Sequence, residues 1–300
     1  MAIGFTQPLR WTREELLSGR NKAEALFVEE RREEGPRRFA AVCADIEPVV
    51  RGALDLTNNL RNLSGETVKS DPTLFQTLRY FCGPPISEED LWTLVGGPKF
   101  KKLPDDWADE TAAVISLVLD PVRFPWVELD RDPTEIEREK AVLSTTVLLA
   151  SRLIGTRRRG SASLRQEAAV GKILHDAGYD FDATRAAITV LDSLPRGHYS
   201  KERKVAEAKC DVPVRLRDGR LLAVECKVSN GPKNGWKRVV REVGGKAEIW
   251  RQVFGKQVIT AVVLAGVFDL SCLEQAQRGH VMILWEHDLT PLIEFVNRAE

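Results

Sequence analysis

The chain has 300 residues, room for one large domain or two modest ones, and carries equal numbers of acidic and basic residues, for a formal net charge of zero. An apolar fraction of 43% beside 29% charged residues suits a globular protein, and no apolar run reaches the eighteen or so residues of a membrane span, so no membrane association is expected. The five cysteines (Cys43, Cys82, Cys210, Cys226, Cys272) are scattered and form no CxxC pair. That argues against a zinc site or a disulfide framework and fits a reducing cytoplasm. The opening MAIGFTQPLRWTREEL has no apolar signal core, so a cytoplasmic location is expected.

The first half reads as helices. Thr12 with Glu15 makes a capping box ahead of a charged helix over roughly 12–34. Pro36 restarts a helix over about 37–62. Asp71-Pro72 opens a third, ended by Gly83-Pro84-Pro85, and Ser87 opens a short fourth, ended by Gly96-Gly97-Pro98. Asp132-Pro133 sets a proline in the first turn of a helix running to about 154. Gly155–Gly160, with Arg157–Arg159 inside it, is the expected linker, dividing a mainly helical region (1–155) from a second domain (156–300). Ser163 with Gln166 then caps a helix ending near Gly178. Beyond 205 the pattern turns to strands: VPVRL (212–216) and LLAVECKV (221–228) around the turn Asp218-Gly219, a basic helix over about 235–253, strands at 257–267 and 280–286, and a closing helix from about 288. The second half is thus an α/β arrangement with a mixed sheet flanked by helices.

The triplet Glu-x-Lys occurs at 202–204, 207–209 and 225–227, and only the last lies in a convincing strand. Its partners depend on the hairpin register. A two-residue loop would set Val212 against Glu225 and mix the faces. A three-residue loop over 217–219 pairs 214 with 222 and 212 with 224, and puts Asp211 opposite Glu225. One face is then wholly apolar, the other carries Asp211, Glu225 and Lys227, and Gly219 takes the left-handed position that the loop needs. Two opposed carboxylates repel, unless a cation lies between them. Hard oxygen ligands suit Mg²⁺, and Lys227 on the same face can hold or polarise a water, which is an apparatus for phosphodiester hydrolysis. An exposed sheet edge with a Glu–Lys pair and a solvated aspartate remains an alternative reading of the same residues.

Asp211-x13-Glu225-x-Lys227 on a hairpin, with a helix before it and a helix and strand after, resembles the PD-(D/E)xK nuclease superfamily, although Cys210 stands where a proline is usual. Many members also carry a glutamate on the preceding helix, and Glu167 in SLRQEAAVGKIL matches. The chain is further similar to the XamI-type type II restriction endonucleases, through LRYFCGPPISEEDL (78–91), the helix with Arg165 and Glu167, KCDVPVRLRDGRLLAVECKVSNGPKNGWKR (209–238) and ILWEHDLTPLIEFV (283–296). The resemblance implies a homodimer that cuts a short palindrome in double-stranded DNA, the prototype's site being GTCGAC, with Mg²⁺ as cofactor, Mn²⁺ as a substitute, and 5′-phosphate and 3′-hydroxyl ends. A cognate DNA methyltransferase would be its genetic partner in a bacterial restriction-modification system. It implies Asp211 and Glu225 as metal ligands, the Cys226 carbonyl as a third, Lys227 as the residue that orients the attacking water, and Glu167 in support. A structure-specific repair or recombination nuclease of the same fold, or a DNA-binding protein without catalysis, are the competing readings.

Residues 201–256 hold 15 Lys or Arg against 7 Asp or Glu, an excess that the rest of the chain must cancel. On charge alone this is either a solvated face or an electrostatic footprint for phosphates. Within it, SNGPKNGWKRVVREVGGK (229–246) carries residue types that meet DNA. Lys237, Arg238 and Arg241 are expected on the backbone, and Asn230, Lys233 or Asn234 near base edges. Trp236 and Trp250 are expected to pack in the core or a dimer contact, and the histidines to be structural or on the surface.

Overall fold

The structure is a computed structural model, describing residues 5–33, 35–71, 73–97 and 102–299, with the backbone alone for 157–162. In chain order, helices α1 (Arg13–Glu33), α2 (Gly35–Leu56), α3 (Gly65–Lys69), α4 (Leu74–Leu78), α5 (Glu88–Val95), α6 (Ala108–Leu117), α7 (Pro125–Glu128) and the long α8 (Glu135–Asp176) precede the strands. Then come β1 (Asp180–Asp182), β2 (His198–Ser200), β3 (Arg203–Val205), β4 (Ala208–Cys210), β5 (Val212–Arg215) and β6 (Leu221–Asn230). Helix α9 (Pro232–Trp236) continues through a π-helical stretch, Lys237–Val243, into α10 (Gly244–Phe254); β7 (Val258–Val267), α11 (Leu270–Arg278), β8 (Val281–Trp285) and α12 (Thr290–Arg298) follow.

The chain forms two compact units, Glu34–Arg157 and Met1–Glu33 with Arg158–Glu300. Residues 1–33 group with the second half of the chain rather than with the other early helices. Helix α1 joins the sheet unit because Leu16 and Ala23 are buried with Val262, Leu264, Ile283 and Trp285. Trp11 Nε1 donates to the Ile283 carbonyl at 2.7 Å, and Gly19 lies so close to the Trp285 ring that a Cβ there would stand 2.3 Å from it.

The helical unit is built around Leu54, Leu78, Phe81, Leu91, Ile115, Phe124 and Trp126. Arg123 ties its loops together, donating to the carbonyls of Tyr80 and Cys82 and to Asp120. Helix α2 stops at Leu56, short of the expected 62, because Asn58, Asn59 and Leu60 adopt left-handed backbone. The third expected helix is reduced to the short α4, with α3 lying ahead of Asp71; Pro72 lies outside the described residues, as does Pro98. The capping box expected at Thr12–Glu15 holds, and Ser87, expected to open α5, does so in a capping box closed by Asp90. Helix α8 begins after Thr134, which caps Glu137, so Pro133 stands outside the helix rather than in its first turn.

The expected linker at 155–160 is helical backbone within α8, and no new helix starts at Ser163. Each of its two glycines costs a helix only about 1 kcal/mol, which the flanking helix-formers offset. Ser163 Oγ instead donates to Glu167 Oε1 at 2.8 Å, and Gln166 is fully buried, with its Nε2 3.5 Å from the Val263 carbonyl. The side chains of Arg157–Arg159 lie outside the described residues.

The main sheet runs β1-β2-β5-β6-β7-β8, with β2–β5 and β5–β6 antiparallel and β1–β2, β6–β7 and β7–β8 parallel; β3 and β4 form a separate ladder. Strands β1 to β4 were not legible, being too short to show a period. One face packs Val212, Val214, Leu222, Val224 and Cys226 against Val170 and Leu174 of α8 and Leu292, Phe295 and Val296 of α12. The other is covered by α1, the α9–α10 segment and α11.

Candidate active site

The β5–β6 hairpin has the register that burial of one face demands. Val212 pairs with Val224 and Val214 with Leu222. Leu216 and Arg220 close the three-residue loop, the Leu216 N–H donating to the Arg220 carbonyl at 2.8 Å, and Gly219 takes φ +91°. Strand β6 is not an edge: β5 and β7 flank it, and β7 pairs along its whole length. Glu225 is therefore wholly buried, and the side chains of Lys227 and Asp211 are only 11% and 14% exposed. The solvated-edge reading fails here, while the Glu and Lys of the other two triplets, at 202–204 and 207–209, are exposed.

Asp211 occupies the single-residue break between β4 and β5. Its Oδ2 accepts from the Cys226 N–H at 2.7 Å and from Lys227 Nζ at 2.9 Å. The same ammonium lies 2.7 Å from Glu225 Oε2. Lys227 thus bridges the two carboxylates that the register brings together. A second ammonium, Lys246 Nζ, stands 2.8 Å from each oxygen of Glu225. Lys246 was not singled out from the sequence. It ends the basic segment at 229–246, but nothing linear pairs it with a strand residue 21 positions earlier.

Burial raises the Glu225 carboxyl above its ordinary range, the charge of Asp211 adds to this, and the two lysines oppose it. Burial works against the charge of Lys227, but Glu225 and Asp211 outweigh it and hold the ammonium above its usual value. Burial likewise pushes up the thiols of Cys210 and Cys226, so neither is a thiolate at neutral pH. Glu167 is half-buried on α8 and hydrogen-bonded to Ser163. Its carboxyl is raised by burial first and by the charge of Asp211 as well, so it lies within electrostatic reach of the cluster without bonding to it.

The donor set fits a hard divalent cation. Two carboxylates converge within 3 Å of one ammonium nitrogen. Mg²⁺ asks for one or two such carboxylates, completing its shell with water and substrate oxygens. Among the described residues no group of three or more His, Cys, Asp or Glu side chains forms a protein-only cage.

Of the expected DNA contacts, Asn230, Lys233, Asn234, Lys237 and Arg241 line one cleft of about 880 Å³ at the end of β6, together with Trp236 and Asp269. Asn234 donates to Asn230 Oδ1 at 3.0 Å. Arg238 does not line the cleft: it is half-buried, and its Nε donates to Asn234 Oδ1 at 3.4 Å. Trp236 packs on the core, and Trp250 is fully buried, donating to the Val205 carbonyl at 2.9 Å.

The profile of the family described as XamI restriction endonuclease matches residues 58–285, most of the chain and parts of both units. The chain belongs to the XamI restriction endonuclease family. It is 38% identical to the type II restriction enzyme XamI of Xanthomonas campestris pv. amaranthicola over 218 residues, which are 68% of this chain and 79% of the relative. It is 23% identical to the type II restriction enzyme SalI of Streptomyces albus G over 270 residues, 81% of this chain and 85% of that one. No solved structure gives a significant match. As a member of the XamI family the protein is a type II site-specific deoxyribonuclease, and its six-stranded mixed sheet flanked by helices is consistent with a PD-(D/E)xK core. No helix of the described residues is long and apolar enough to cross a membrane.

Proposed function

We propose that this restriction endonuclease hydrolyses both strands of a short palindrome with Mg²⁺ as cofactor, Mn²⁺ substituting, and leaves 5′-phosphate and 3′-hydroxyl ends. GTCGAC is the first site to try. A homodimer suits a two-fold target, since each copy then meets an equivalent half-site. A cognate methyltransferase would be its genetic partner in a bacterial cytoplasm.

The observation that carries the reading is the ammonium of Lys227 within 3 Å of both Asp211 and Glu225. Asp211 and Glu225 would hold the cation with the Cys226 carbonyl, and Glu167 would support the site through water. When bound, Mg²⁺ supplies Lewis-acid stabilisation of the charge that develops on the phosphate and eases deprotonation of the attacking water. Lys227, released from bridging the carboxylates, orients that water for in-line attack. Exposed Lys237 and Arg241, with Arg238, would position the phosphate backbone, while Asn230, Lys233 and Asn234 approach base edges.

The test is a digest of DNA of known sequence with the ends sequenced, repeated with Glu225→Gln and Lys227→Met. Discrete fragments are expected from the parent. Each variant is expected to lose at least about 10²-fold in cleavage rate while keeping its circular dichroism and specific binding. A variant cutting at the parental rate means that the site is misplaced. Cutting confined to flaps or junctions would favour a repair nuclease, and binding without any cutting an inactive reader.

A further inference from the structure

We propose that Lys246 is a positioning residue of the nuclease centre: it clamps the Glu225 carboxylate and sets the charge of the pocket. The inference rests on the reading of Glu225 as a metal ligand given above and goes beyond it, because the Asp-Glu-Lys triad does not include this lysine.

Three observations carry it. The first is the contact. Glu225 is wholly buried and both of its oxygens accept from Lys246 Nζ at 2.8 Å, while the Lys246 side chain is only 24% exposed. The second is the division of labour between the two lysines. Lys227 is shared between Asp211 and Glu225, whereas the hydrogen bonds of Lys246 among the described residues all go to Glu225. When Lys227 turns toward water or phosphate before a cation is bound, Glu225 would be left as a buried anion without a counter-charge. Lys246 prevents that and fixes the rotation of the carboxylate. The third is how the lysine gets there. Val239, Val243, Ala247 and Trp250 form the buried row of the segment that covers the sheet, and Lys246 stands beside that row. The π-helical stretch Lys237–Val243 resets the helical phase just before it. Such stretches concentrate at functional sites. The same segment carries Lys233, Lys237 and Arg241 on its exposed side, so one element links the cleft proposed for DNA to a ligand carboxylate.

The charge count gives a test that separates positioning from general support. Asp211, Glu225, Lys227 and Lys246 sum to zero. Removing Lys246 leaves the pocket one unit more negative, which favours a divalent cation, yet frees the carboxylate that must be aimed. Metal binding and turnover should therefore move in opposite directions, whereas plain damage to the pocket would weaken both.

The experiment compares the parent, K246M and K246R by cleavage kinetics on a cognate duplex, by calorimetric titration with Mn²⁺ in the absence of DNA, and by thermal melting. For K246M we expect kcat at least tenfold lower, KM within twofold of the parent, and Mn²⁺ bound at least threefold more tightly. K246R should recover kcat to within about threefold. If K246M does not fold, K246Q replaces it, with the same opposed shifts expected. Unchanged kcat, or kcat and Mn²⁺ affinity falling together, would overturn the proposal. Glu225→Gln is run alongside. Should it cut like the parent, Glu225 is not a ligand and both readings fall; should it be inactive while K246M is fully active, only the inference about Lys246 falls.

Discussion

A lone ionised carboxylate with no surface in water, as at Glu225, would cost several kcal/mol, so the two ammonium groups around it are a condition of its being there. Removing either lysine leaves charge uncompensated, which is why conservative replacements such as Gln are more informative than Ala at this position. Glu137 shows the opposite case at a less buried place. Its carboxyl is lowered to about 2, first by its bond to Arg131 and then by the Thr134 backbone N–H at the start of α8. A carboxyl depressed in the folded state stabilises it above the unfolded value, near 4.3, and that contribution fades as the pH falls through the folded value. Glu137→Gln should accordingly melt below the parent at pH 6, and the gap should close as the pH drops from about 4.5 toward 2. Thermal scans of the two proteins across that range check this; a gap constant with pH would mean that Glu137 contributes through packing alone.

At the scale of elements, β6 is the piece on which the site depends. Its apolar face is locked into one core, and its ten-residue pairing with β7 fixes Glu225 and Lys227 against the opposite layer. The approach is closest at the end of the pair. Gly266 has φ +94°, and a Cβ there would stand 2.0 Å from the Ser229 carbonyl oxygen, two residues past Lys227. Gly266→Ala should destabilise the fold by about 1–3 kcal/mol from the backbone conformation alone, with the clash adding to it. It should also lower cleavage by shifting the end of β6. A melting temperature and cleavage rate equal to the parent's would show that the strand end relaxes freely. The hairpin was legible because one face had to be wholly apolar; the continuity of α8 was not, because Gly155 and the arginine run look like a linker while costing a helix little.

For the whole molecule, the distribution of charge matters more than its sum. The chain is neutral, yet residues 201–256 concentrate the basic side chains, and part of that excess is spent inside the fold. Lys227 and Lys246 neutralise buried carboxylates, and Arg203, Arg215 and Arg220 are themselves buried. Of the basic side chains that stay exposed, Lys233, Lys237 and Arg241 share one cleft. Lys237→Ala and Arg241→Ala should each weaken DNA binding about equally for all sequences and reduce the slope of log affinity against log salt by about one. Binding titrations at several salt concentrations on cognate and unrelated duplexes test this, and an unchanged slope would take these residues off the phosphates. Arg238, tied to Asn234, is the useful contrast, since a change in sequence preference on its removal would assign it to base reading.

The sequence by itself determined the hairpin, its register and the convergence of Asp211, Glu225 and Lys227, because period-two alternation with one buried face leaves a single pairing. It also carried the helical first half, the Thr12–Glu15 capping box and the likeness to the XamI family, all of which are local patterns or stretches of matching residues. Only the tertiary structure decided that β6 lies inside the sheet, that α1 belongs with the sheet unit, that α8 is one helix, and that Lys246 reaches Glu225. The division follows from the range of the interactions. Alternation, caps and turns are set by neighbours a few residues apart, whereas burial on the second face of a strand, and the partner of a buried charge, depend on layers that the chain supplies from far away.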